Sequence, residues 1–244
     1  MSVEDINHNL HDDRGLFTTK PPLPRSTVSV PSTIDSTAQV ADNAEIGEFV
    51  KIGHGAVIEP GVVLEDGAVI EANVVVEKDA RIGSGTRVGE NSWIGRQAML
   101  GEDVRVGTGT IIENKSIIEN DARIGDHVSI GRSVRCHPHA TITDHVAIGN
   151  SSSIGVDVLV DPGAHLGHEV VLEDGVWIGR EAKFGDSTIV GKRSTVGRYT
   201  VLSPGTILET DVTIGAYVYA SDSCVFRSGA NIEDESMIPA GSTI

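Results

Sequence analysis

Seven of the nine histidines in this 244-residue chain fall between His54 and His168. Imidazole gives or takes a proton near neutral pH, so its placement is the first pointer to chemistry. His165 and His168 flank Leu166 in the run Ala164-His165-Leu166-Gly167-His168-Glu169. Asp186 follows His168 by 18 residues, Asn150 precedes it by 18, and Lys183 follows His165 by 18. His127 and His145 are again 18 apart, His137 and His139 follow Cys136, and His54 stands alone as a surface residue. A carboxylate such as Asp186 or Glu169 beside an imidazole can orient the ring. A catalytic zinc needs three protein ligands and an open position. Gly167-His168 with Glu173 offers only part of that set. Cys136 and Cys224 form no metal or redox motif and read as small core residues.

The interval of 18 has an origin in the whole chain. From Ile34 to Ile244 an aliphatic residue returns at every sixth position, and only Cys136, Phe184, Ala220 and Phe226 depart from Ile, Leu or Val. Two residues ahead of each anchor runs a second column of Ser, Thr, Ala or Val, broken only by Cys224. Neither a helix nor a lone strand has this period, whereas a solenoid does. Six residues make one short strand and one turn, and three such sides make an 18-residue coil. Coils stack at a strand spacing of about 4.8 Å. The fold class expected is therefore all-β, a prism of about twelve coils without inserted loops, in which residues 18 apart are vertical neighbours. Gly follows many anchors (Gly47, Gly53, Gly83, Gly95), which suggests that backbone conformations costly to other residues fall there.

Residues 1–30 precede the repeat of 31–244 and read as a loosely docked arm, extended at Pro21-Pro22-Leu23-Pro24. The net charge of −16 argues against binding nucleic acid or an anionic membrane as a bulk polyanion. No long apolar run or basic-then-apolar start is present, so no membrane span or signal peptide is expected, and the location expected is cytoplasmic.

The residue before each anchor points outward and forms one column per face. The first column is mostly polar and includes Arg87, Arg105 and Arg123. The second includes Val57, Val75, Trp93, Ile111 and Val201; the third includes Val63, Met99, Ile117, Val171, Ile189, Ile207 and Val225. Two apolar stripes of this length predict a closed homo-oligomer in which the second face meets a neighbour's third face.

Runs such as Ile46-Gly47-Glu48-Phe49-Val50-Lys51 and Ala122-Arg123-Ile124-Gly125-Asp126-His127 resemble the bacterial hexapeptide-repeat superfamily. The resemblance implies a left-handed parallel β-helix, most often a homotrimer. The segment Ala164–Glu169 is similar to the Ala-His-x-x-His-acid segment of acyltransferases that load fatty chains onto sugar nucleotides. It implies that His168 is the general base, with Asp186 or Glu169 orienting it. His165, Asn150 and Lys183 would contact substrate, and acyl-CoA or an acyl carrier protein would be the donor. The acceptor implied is the amino or hydroxyl group of a sugar or sugar nucleotide. Two alternatives stand beside it: a non-catalytic structural solenoid, and a γ-type carbonic anhydrase-like metal site completed by a neighbour's His127, His139 or His145.

Overall fold

A computed structural model describes residues 32–244; the expected arm of residues 1–30 lies outside the described residues. Thirty-five strands of two residues follow one another from β1 (Thr33–Ile34) to β35 (Met237–Ile238). They fall into three parallel sheets of 12, 12 and 11 strands, each strand pairing with the third before and the third after it. The register is 18 throughout, as in Thr33↔Lys51, Trp93↔Ile111 and Val171↔Ile189. Residues 32–244 thus form a left-handed parallel β-helix of eleven coils and two sides of a twelfth. Sheet 1 contains β1, sheet 2 contains β2 (Gln39–Val40) and sheet 3 contains β3 (Glu45–Ile46). No helix among the described residues is long and apolar enough to cross a membrane.

The two inward columns make the core. Anchors from Ile58 to Leu208 and the small residues from Val50 to Cys224 are buried, while the end anchors Ile34 and Ile244 are 46% and 45% exposed. Ser and Thr enter the small column because each hydroxyl there can serve two coils. Thr86 Oγ1 donates to the Gly101 carbonyl at 2.7 Å and accepts the Val104 N–H at 3.0 Å. No buried side-chain N or O among the described residues lacks a partner.

The corners correct the expectation for glycine. Left-handed φ falls not after the anchor but three residues beyond it, at every sixth residue from Phe49 to Gly241, with φ between 53° and 77°. Ten of these are glycine; the others include Asn, Asp, His and Tyr. The Gly directly after an anchor answers a different need, close approach of the next coil. A Cβ on Gly101 would collide with Asn120 Oδ1 and stand 2.8 Å from the Asn120 nitrogen.

That approach gives the corners their cap. At many corners where Gly follows the anchor, an Asp or Asn one coil above accepts the next N–H, as Asn114 does from Arg96, Asn120 from Glu102 and Asp126 from Thr108. Some of the Glu residues that follow an anchor reach up instead, as Glu59 does to the Lys78 N–H and Glu173 to that of Lys192. Both devices satisfy a corner donor that the ladder leaves free.

Of the outward stripes, the third face is the better covered. Val171, Ile207 and Val225 are half-buried and Ile189 is only 8% exposed, because Glu173, Glu209 and Arg227 flank the same groove. On the second face Ile111, Tyr219 and Met237 stay exposed.

Candidate functional site

His165 lies in β23 (His165–Leu166) on sheet 2, paired with Lys183 of β26 (Lys183–Phe184) directly above it. Both side chains are exposed. The chain then turns toward sheet 3 through Gly167, His168 and Glu169, and β24 (Val171–Leu172) follows. Glu169 holds the left-handed position with φ 58°. One coil above stand Asp186 and Ser187; one coil below stand Asn150 and Ser151. These six residues line an open cleft of about 470 Å³.

The 18-residue register brings His168, Asp186 and Asn150 together, through the main chain. Asp186 Oδ1 accepts the His168 backbone N–H at 2.8 Å, and His168 Nδ1 accepts the Asn150 backbone N–H at 2.9 Å. His168 therefore occupies a corner-cap position that Asp or Asn fills elsewhere. An amide N–H on Nδ1 leaves the neutral ring's proton on Nε2. In that state Nε2–H is a hydrogen-bond donor. Action as a base through Nε2 requires the proton on Nδ1, and hence release of the Asn150 amide. Glu169 Oε2 accepts from the Ser187 hydroxyl at 3.2 Å.

The remaining histidines are dispersed. His127 and His145 stand one above the other at the corner between sheets 1 and 2, with ring centroids 5.3 Å apart and the rings tilted by 41°. His54 meets Thr37 Oγ1 at 2.8 Å. His137 faces Glu119, a carboxylate only 6% exposed, at 3.6 Å, and Arg135 Nε reaches the same oxygen at 2.7 Å. Burial pushes the Glu119 carboxyl upward, but the hydrogen bonds from His137 and Arg135 outweigh it and hold the group below the usual carboxylate range. Burial, together with the Glu119 charge, pushes the neighbouring Cys136 thiol up to about 12, which makes it inert at neutral pH. This cluster escaped the sequence reading, although the Glu119–Arg135 spacing of 16 repeats that of Glu65–Arg81 and Glu71–Arg87. Within the described residues of one chain, no three His, Cys, Asp or Glu side chains converge as a metal site.

The profile of a family described as the GMPPB C-terminal domain matches residues 28–107 and 130–238, more than half of the chain. Among solved structures, the chain is similar to PerB from Caulobacter crescentus in complex with CoA and GDP-perosamine. That likeness has 23% identity over 49% of this chain and 54% of that one, with a TM-score of 0.39. UDP-N-acetylglucosamine acyltransferase of Francisella novicida is 22% identical over 69% of this chain and 65% of its own, with a TM-score of 0.46. LpxA, a UDP-N-acetylglucosamine acyltransferase from Bacteroides fragilis, is 20% identical over 72% of this chain and 70% of its own, with a TM-score of 0.40. The chain thus spans about half of the first and just under two thirds of the second. No curated protein matches it. On its residues 28–107 and 130–238, the chain belongs to the GMPPB C-terminal domain family, and its repeat is of the hexapeptide, left-handed β-helix class.

Proposed function

We propose that this protein is an acyltransferase that moves an acyl group from acyl-CoA or an acyl carrier protein to an amino or hydroxyl group of a sugar. The observation that carries this reading is the imidazole in the cap ladder. Asp and Asn cap the corners at 66, 114, 120, 126, 144, 150, 174, 186 and 234; a ring at 168 is not needed for that purpose. It adds a second nitrogen, in an open cleft bracketed by two carboxylates.

In the arrangement seen, His168 Nε2–H would donate to the thioester carbonyl oxygen as the tetrahedral oxyanion forms. The acceptor's nitrogen or oxygen bonds to the carbonyl carbon, the C–S bond breaks, and the acceptor's proton passes by way of Asp186 or Glu169 to the departing thiolate. The alternative role of His168, as the base itself, begins once the Asn150 amide is released. His165 and Lys183 would hold the acceptor on sheet 2 beside the cleft, with Asn150 at its floor. A homotrimer in which sheet 2 meets a neighbour's sheet 3 would enclose this cleft and exclude water.

The test is thiol release from acetyl-CoA and longer acyl-CoAs in the presence of amino and hydroxyl sugars and their nucleotides. Acceptor-dependent release that saturates in both substrates is expected; none with any pair sinks the proposal. A second reading, a non-catalytic structural solenoid, is favoured by one fact: His168 Nδ1 is already used as a corner cap.

A further inference from the structure

All three tyrosines of the chain, Tyr199, Tyr217 and Tyr219, lie in two successive coils near its C-terminal end. Tyr199 and Tyr217 sit at the corner between sheets 1 and 2, in the left-handed position with φ of 57° and 58°. A bulky ring is costly there; Asn73 and Asn91 occupy the same column in earlier coils, followed by the smaller rings of His127 and His145. The rings stack at 5.1 Å with an interplanar angle of 11°, yet the residues remain 38% and 49% exposed. Arg198 extends its guanidinium to 5.7 Å from the Tyr217 ring centroid, and Arg180 stands one coil below Arg198, exposed.

The arginines supply the second observation. In a chain of net charge −16, most arginines are neutralised: Arg81, Arg87, Arg96, Arg132, Arg135, Arg193 and Arg227 each pair with a carboxylate. Among the described residues Arg105, Arg123, Arg180 and Arg198 have no ion pair, and of these Arg198 is the one set against an aromatic ring, with Arg180 one coil below it. Two free guanidiniums beside an exposed, strained aromatic stack make a surface for a ligand with both a flat ring and anionic charge. Guanidinium matches phosphate oxygens in a bidentate fork, and aromatic faces take up planar bases.

We infer that the Tyr199–Tyr217 corner binds a nucleoside diphosphate, its base against the tyrosines and its diphosphate on Arg180 and Arg198. A long nucleic acid is disfavoured by the acidic remainder of the surface. The corner is separated from Asp186 by the width of sheet 2, six residues or about 20 Å of extended chain, with Lys183 between. The assignment is independent of acyl transfer by His168, because it is read as binding. The diphosphate could belong to a coenzyme built on adenosine diphosphate or to a sugar nucleotide, and the choice of base separates these.

The experiment is titration calorimetry of the full chain with ADP, UDP, GDP and inorganic pyrophosphate. At least one nucleoside diphosphate should bind more tightly than pyrophosphate, ADP pointing to the coenzyme and UDP or GDP to the sugar nucleotide. The double variant Tyr199→Asn/Tyr217→Asn, which suits the left-handed backbone and should keep its melting temperature, should weaken nucleotide binding by about tenfold or more and leave pyrophosphate unchanged. Arg180→Gln/Arg198→Gln should weaken both. The inference is overturned if no nucleotide binds in the millimolar range, or if the tyrosine variant binds as the wild type does.

Discussion

Thr86 is wholly buried, yet its hydroxyl serves as donor to Gly101 and acceptor for Val104. Thr86→Val keeps the shape and strands both groups, so unfolding in urea should show a loss of about 1–3 kcal/mol. Glu119 carries the opposite lesson about charge. Its folded-state carboxyl titrates below the ordinary value, so the stability it contributes is present above the ordinary glutamate range and is lost as pH falls through the folded value. Glu119→Gln should therefore cost about 2 kcal/mol at neutral pH, with the gap to wild type closing as the acid range is entered. A gap that is constant with pH would show that the charge of Glu119 contributes nothing. At position 168, vertical proximity to Asp186 was legible from the register alone. Which atoms would meet was not: the carboxylate takes a main-chain N–H, and a cap depends on rotamer and corner geometry that a spacing does not encode.

At the scale of the strand and its corner, the alternation of Gly below with Asx above sets how closely coils approach. Gly101→Ala would put its Cβ against Asn120. It should destabilise the chain by about 1–3 kcal/mol, and Asn120→Gly in the same chain should recover part of that loss by opening the space. Equal stability of the single variant and wild type would mean that the corner yields freely. The period of six made the strands, faces and core readable in advance, since every anchor and small residue had to point inward. The left-handed position was misplaced, because most of the residues holding it are not glycine and carry no signature of φ. Tyr199 and Tyr217 were also missed, although their spacing of 18 at one corner was in plain view.

The described residues form a three-sided rod whose sheets differ in what they present to solvent. Sheet 3 offers a groove of about 600 Å³ floored by Ile189, Ile207 and Val225, and sheet 2 offers Ile111 and Tyr219. Packing one against the other in a ring of three would bury both. Light scattering should give three chain masses for the wild type and one for Ile207→Glu; a wild-type monomer at micromolar concentration would remove the assembly. The proposed oligomer rests on the columns, whereas the proposed chemistry hangs on a single ring. Asn caps the same kind of corner at 114, 120 and 150, so His168→Asn separates the cap from the imidazole. The decisive measurement is the acyl-transfer rate of that variant beside its melting temperature. The account predicts an unchanged melting temperature with transfer reduced by about a hundredfold or more. Transfer at the wild-type rate by a fully folded His168→Asn protein would contradict it.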